Sequence, residues 1–146
     1  MVAIEDGLII IQSFSDYILS ALSKGISPTL YQDVFYTPIL AEELVQAVHD
    51  LKKQNASGIF HVVGDERLSK YEFGLKLATR FQLDSNLVNP VFMAEQNSKV
   101  RRPLDMSLSN KKTCQLLGRG LGGVDEHLNL LELQYSNGPF QEIVNL

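Results

Sequence analysis

The spacing of hydrophobic and polar positions switches several times between two periods. Leu8 to Ile11 is a short β-branched run that reads as a buried strand. Phe14, Tyr17, Ile18, Ala21 and Leu22 then recur at helical spacing, with Ser13 or Ser15 as cap and Gly25 with Pro28 as the stop. "SPTLYQD" (Ser27 to Asp33) reads as extended chain, and in "VFYTPI" the proline at 38 keeps Thr37 out of helical geometry. The next helix has an apolar stripe of Leu40, Leu44, Val45, Val48 and Leu51. Glu42 and Glu43 sit in its first turn and Lys52 and Lys53 in its last, as the helix dipole prefers.

"IFHVVG" (Ile59 to Gly64) is the clearest strand pattern in the chain, apolar on both faces as in a buried parallel strand. Ser69 and Glu72 form a capping box ahead of a helix whose apolar face is Phe73, Leu77, Ala78 and Phe81. "LVNPVFM" is a further extended piece. From Leu104 the pattern alternates, placing Leu104, Met106 and Leu108 on a buried face and Asp105, Ser107 and Ser109 on the other. "NKKTCQLLG" predicts a short helix capped by Asn110 and stopped by Gly118. "VDEHLNLLELQYSNG" predicts the last helix, and the tail 139–146 is expected to be loose. The whole is a mixed α/β chain with short strands and about five helices, one domain over 1–146, without repeat or linker.

Composition narrows the function classes. The net charge is −4, which argues against broad binding to nucleic acid or an anionic membrane. The single cysteine, Cys114, excludes an internal disulfide and a cysteine-based zinc site, and fits a reducing cytoplasmic setting. The apolar run near the start, "GLIII", is too short for a membrane span. His49, His61 and His127 show no metal-ligand spacing, and no metal site is expected. His61 interrupts an apolar strand and so needs a hydrogen-bond partner.

"GRGLGG" (Gly118 to Gly123) has the G-x-G-x-x-G spacing, but a helix precedes it where a dinucleotide loop needs a strand. A flexible helix-terminating loop is the expected reading. No serine elbow motif occurs, and the carboxylates lie mostly at helix starts. "KVRRPLDMSLSNKK" gathers cations around Pro103 in an acidic chain. Arginine forks match two phosphate oxygens at once, so Arg101 and Arg102 are either a solvated corner near Asp105 or the rim of an anion site.

Several pieces together resemble the carboxyl-terminal part of extended short-chain dehydrogenases, most of all the dTDP-4-dehydrorhamnose reductase family. They are Asp33, Thr37, Pro38, Ala41 and Leu44; Gly58 and His61; Ser69, Lys70, Tyr71 and Glu72; and Arg102, Pro103 and Leu108. The likeness runs from about Phe14 to Gly118. It implies the substrate-binding portion of an NAD(P)-binding Rossmann-type enzyme, lacking the main nucleotide-binding half, with 1–12 a remnant strand of the Rossmann sheet. The family's Tyr-x-x-x-Lys catalytic pair is absent: "YEFGLK" puts Lys76 five residues after Tyr71, one too many. The resemblance therefore implies a fragment, a truncated gene product or a domain working alone, with no catalytic or cofactor-binding residue here and NAD(P)H bound only by the complete family member. It also implies a nucleotide-sugar, possibly dTDP-linked, with Arg101 and Arg102 at the diphosphate and Tyr36 at the sugar or base. A strand at 59–64 without its sheet leaves an open edge, so self-association or a partner chain is expected. The alternative is a non-catalytic regulatory or interaction module on this scaffold, as the regulatory beta subunit of methionine adenosyltransferase resembles.

Overall fold

The structure, a computed structural model, describes residues 2–5, 8–11, 13–95 and 102–137, the first two runs as backbone only. Arg101 and the tail 139–146 lie outside the described residues.

Helix α1 (Phe14–Ser23) starts at a capping box in which Ser13 and Asp16 exchange side-chain and backbone bonds, and it turns off at Gly25 with φ +69°. Strand β3 (Thr29–Tyr31) follows, then β4 (Phe35–Tyr36) and α2 (Ala41–Lys53). Strand β5 (Leu68–Ser69) runs directly into α3 (Lys70–Arg80), whose Ser69–Glu72 capping box is present as the spacing predicts. Strand β6 (Asn89–Val91), α4 (Lys111–Leu117) and α5 (Val124–Asn137) complete the order. Ahead of them all, β1 (Val2–Glu5) and β2 (Leu8–Ile11) pair as an antiparallel hairpin. The expected strand at 8–11 is thus formed, with a partner that the pattern had not indicated.

Helix α3 is the central element and packs against α1, α5, β3 and β5. The core runs through Ile18, Leu19 and Leu22 of α1, Leu30, Leu68, Phe73, Leu77 and Ala78, Val88, and Val124 and Leu128 of α5. Gly74 sits mid-helix although glycine costs about 1 kcal/mol there relative to alanine. A β-carbon on it would come within 2.3 Å of Leu30 Cδ1, so its absence lets α3 lie close on β3. Strands β3 and β6 pair in parallel, so both short extended readings hold.

Three apolar patterns are not buried as expected. Residues 59–64 form no ladder among the described residues, and Ile59 is 80% exposed. A pattern apolar on both faces reports suitability for burial in a sheet, and no strand among the described residues pairs with this one. Leu104, Met106 and Leu108 are extended as expected, yet each is exposed. On α2 only Ala47 and Leu51 are buried, while Leu44, Val45 and Val48 face solvent.

One edge of 59–63 is nevertheless occupied. Lys112 Nζ donates to the Ile59 carbonyl (2.8 Å), Thr113 Oγ1 to that of His61 (2.6 Å) and Asn110 Nδ2 to that of Val63 (2.9 Å). Asn110 thus serves this segment and makes no side-chain capping bond to α4. Backbone groups alternate sides along an extended chain, so those of Phe60 and Val62 face away from α4. Among the described residues they have no hydrogen-bond partner.

Candidate functional site

Strand β4 lies between two neighbours. It pairs antiparallel with β5, Phe35 opposite Ser69 and Tyr36 opposite Leu68. On its other side Phe35 bridges Asp105, with Phe35 N–H donating to the Leu104 carbonyl (2.7 Å) and Met106 N–H to that of Phe35 (2.9 Å). The segment after Pro103 is therefore a strap laid along β4, and Leu108 N–H extends it by donating to Thr37 Oγ1 (3.2 Å).

Arg67 clamps this strap. Its guanidinium lies 3.8 Å from the centre of the Phe35 ring and donates to Asp105 Oδ2 from Nε (3.2 Å) and Nη2 (2.9 Å). Arg67 first, and the Ser107 hydroxyl and N–H after it, hold the Asp105 carboxyl at about 2. A depressed folded-state value means that the carboxylate's contribution is complete above the ordinary carboxylate range and is lost as pH falls toward 2. Arg67→Met is expected to return the Asp105 titration toward 3.8, read by carboxyl carbon NMR. A midpoint unmoved by that substitution refutes the clamp.

Arg102 is exposed, and among the described residues no carboxylate pairs with it or with Lys70. Lys70 is the first residue of α3, half-buried, with Nζ 4.9 Å from the centre of the Phe14 ring. Burial first, and the charge of Arg102 second, hold its ammonium below the usual lysine range. Tyr36 meets the same Phe14 ring edge-on (6.3 Å) and Phe73 likewise (5.9 Å). Its hydroxyl is buried with no partner among the described residues, and burial pushes the phenol up. Phe14 thus links Tyr36 to Lys70. An apolar cleft of about 280 Å³ adjoins this aromatic cluster, lined among others by Ser13, Leu40, Phe73, Leu128 and Leu131.

Residues 11–130 match the model of the RmlD substrate binding domain. The chain belongs to the RmlD substrate-binding domain family. It is 25% identical over 124 residues to the probable low-salt glycan biosynthesis reductase Agl14 of Haloferax volcanii, a match covering 85% of this chain and 41% of that protein. The crystal structure of dTDP-4-dehydrorhamnose reductase from Bacillus anthracis in complex with NADP superposes with a TM-score of 0.76 at 18% identity, over 86% of this chain and 44% of that one. A hypothetical dTDP-4-dehydrorhamnose reductase from Sulfolobus tokodaii gives 0.67 at 28% identity, over 81% and 41%. The α/β fold is that of these reductases, and the chain spans less than half the length of each.

Within this RmlD-family domain the other sequence candidates have structural partners. The carboxylate of Asp65 accepts from Leu121 N–H and Gly122 N–H, each at 3.1 Å, and from Asn110 Nδ2. The "GRGLGG" loop is therefore fixed around the protein's own anion, and Gly118 serves as the left-handed cap of α4. Lys76 pairs with Glu66 and Asp125. His61 is exposed, and its bonded group is the carbonyl rather than the ring, which corrects the expectation of a buried histidine there. The buried histidine is His127, whose Nε2 lies 2.8 Å from the Leu121 carbonyl oxygen. Among the described residues no cluster of three metal-binding side chains occurs, and no helix is long and apolar enough to cross a membrane.

Lys70 entered the sequence reading only as part of the resemblance around Ser69 and Glu72 and not as a site residue, although a cation in the first turn of a helix stands where the dipole prefers an acid.

Proposed function

We propose that this chain is the substrate-binding portion of a nucleotide-sugar reductase of the dTDP-4-dehydrorhamnose type, and that it does not turn over substrate alone. The match of residues 11–130 to a substrate-binding family carries this reading. Arg102 supports it as an exposed arginine that pairs with no carboxylate among the described residues. In this reading Arg102, with Arg101, meets the diphosphate of a dTDP-linked sugar, and the adjoining apolar cleft takes the less polar part of the ligand. Tyr36 is the sugar or base contact in this reading, although its hydroxyl is buried as the structure stands.

The reduction itself needs NAD(P)H, a hydride donor that the complete family member binds. The residues here do not fit that group. The glycine-rich loop has its N–H groups at 121 and 122 on Asp65, and no Tyr-x-x-x-Lys pair is present. The reading carries a cytoplasmic location with it, as for an enzyme of soluble nucleotide-sugars.

Isothermal titration of the purified chain tests the reading. Heat with dTDP, weakened by Arg102→Ala, no heat with NADPH, and no NADPH oxidation in the presence of a dTDP-4-dehydro-sugar are the expected results. Absence of heat with dTDP and UDP alike overturns it and favours an interaction module instead.

The open edge at Phe60 and Val62 supports one addition. In the purified chain a second copy covers this edge by strand pairing, and a nucleotide-binding half, where present, takes its place.

A further inference from the structure

Helix α5 carries apolar residues on two faces. Val124, Leu128 and Leu131 recur at helical spacing and turn inward, the first two buried in the core and Leu131 packed against it. One further step of the same spacing brings Gln134 to that inward face. Leu130 and Leu133 turn outward instead, 45% and 55% exposed. A polar residue thus stands at an inward position while two leucines face solvent, the reverse of what burial alone selects on a surface helix.

Gln134 is half-buried and lines the apolar cleft of about 280 Å³ together with Phe73, Leu128 and Leu131. No lysine, arginine, aspartate or glutamate lines it. The other polar side chains there are Ser13, Ser15 and His127, and each is committed. The two serine hydroxyls pair with each other (2.9 Å), Ser13 Oγ also accepts from Asp16 N–H, and His127 Nε2 lies 2.8 Å from the Leu121 carbonyl oxygen. The Gln134 amide has no hydrogen-bond partner among the described residues. An amide drawn partly out of water without a partner carries a penalty that a bound donor and acceptor relieve.

Size and chemistry narrow the occupant. Sites for a whole small ligand start at about 300 Å³, so this cleft suits one ring of a larger molecule. Its uncharged, apolar lining suits a flat neutral ring and leaves phosphates outside. A primary amide presents a donor and an acceptor side by side, and the imide edge of a pyrimidine base presents the complementary pair. Phe73 lines the cleft and also meets Tyr36 edge-on at 5.9 Å, so cleft and candidate sugar contact are neighbours.

We propose that this cleft is a base pocket, holding the pyrimidine ring of the nucleotide, and that Gln134 is the binding residue that reads its hydrogen-bonding edge. That the ligand is a nucleotide rests on the function proposed above; the place of its base rests on the cleft and the amide within it. The amide oxygen accepts from the ring N3–H, and the amide nitrogen donates to an adjacent ring carbonyl.

The test is titration of the full chain with dTDP, alongside saturation-transfer NMR of the ligand protons. Gln134→Met keeps the length of the side chain and removes both hydrogen-bonding groups. Ala41→Phe narrows the cleft from an exposed lining position. Loss of two neutral hydrogen bonds corresponds to about a tenfold change in affinity. Gln134→Met is expected to weaken dTDP by about that factor with an unchanged ligand-free thermal midpoint, Ala41→Phe to weaken it as well, and the thymine methyl and H6 to show the strongest saturation. Wild-type affinity in Gln134→Met overturns the role of Gln134 and leaves the nucleotide-sugar reading standing. If Gln134→Met lowers the midpoint, Ala41→Phe decides, and wild-type affinity there overturns the pocket. Saturation confined to the deoxyribose also overturns it, and ADP bound as tightly as dTDP overturns the assignment to a pyrimidine. No binding of dTDP by wild type overturns both this pocket and the function proposed above.

Discussion

Gly64→Ala is expected to destabilise the chain by about 3 kcal/mol, at the upper end of what overpacking costs, and to lower Tm by roughly 10 °C for a domain of this length. The reason is a contact that no side-chain rearrangement relieves. A β-carbon on Gly64 would lie 2.1 Å from the backbone carbonyl oxygen of Pro38, with the Gly122 carbonyl oxygen 3.4 Å away. Gly64 is buried, so the new methyl has no open side to turn to. Either the chain ahead of α2 or the end of the 59–63 segment must shift by about an ångström to reach ordinary van der Waals separation. The second shift is costly because the next residue is a junction: Asp65 N–H donates to the Gly122 carbonyl (2.9 Å) while its carboxylate holds the amides of Leu121 and Gly122. Differential scanning calorimetry of the variant decides the matter. A Tm within 2 °C of wild type, a small fraction of the expected shift, means that the Pro38 carbonyl is not fixed as described.

The same junction shows what kinds of structure were legible in the sequence. Several elements set by contacts three or four residues apart were read correctly, the apolar stripe of α2 and the Asn110 cap excepted. The Ser69–Glu72 box starts α3, Gly118 ends α4, and Phe73, Leu77 and Ala78 face the core, because caps and helical faces are local properties. Patterns whose meaning depends on a distant partner were misread. "IFHVVG" and the Leu104–Met106–Leu108 alternation both announce buried faces, yet Ile59 and all three residues of the alternation are exposed, since periodicity reports what a residue is suited to bury and not whether the chain supplies the other surface. The site divides along the same line. Arg102 was visible because arginine beside proline in an acidic chain is conspicuous. Tyr36 was visible as a residue type, but the enclosure of its hydroxyl under Phe14 and Phe73 depends on how α1 and α3 pack.

The purified chain is expected to sediment as a dimer or larger species at micromolar concentration, and Val62→Pro to return it to a monomer. The argument turns on which side of the 59–63 segment is already used. The carbonyls of Ile59, His61 and Val63 accept from Lys112, Thr113 and Asn110, so that side is closed. The groups of Phe60 and Val62 point the other way and have no partner among the described residues. Such a row is a template for strand pairing, and apolar Ile59 at its start adds surface that pairing covers. Proline at 62 removes an N–H that bonds nothing within the described chain, and proline is tolerated on an edge in extended chain, so the substitution reaches the outward edge with little internal loss. Ile59→Glu is the second variant, since a charge at an exposed position opposes pairing without altering the backbone. An antiparallel pair of this segment with its own copy is isologous and closes at two chains, which predicts a dimer rather than an open series. Sedimentation equilibrium separates the outcomes. Wild type as a monomer at micromolar concentration refutes the pairing outright. A dimer that survives both Val62→Pro and Ile59→Glu places the contact elsewhere, with the exposed Leu44, Val45 and Val48 of α2 as the next surface to change.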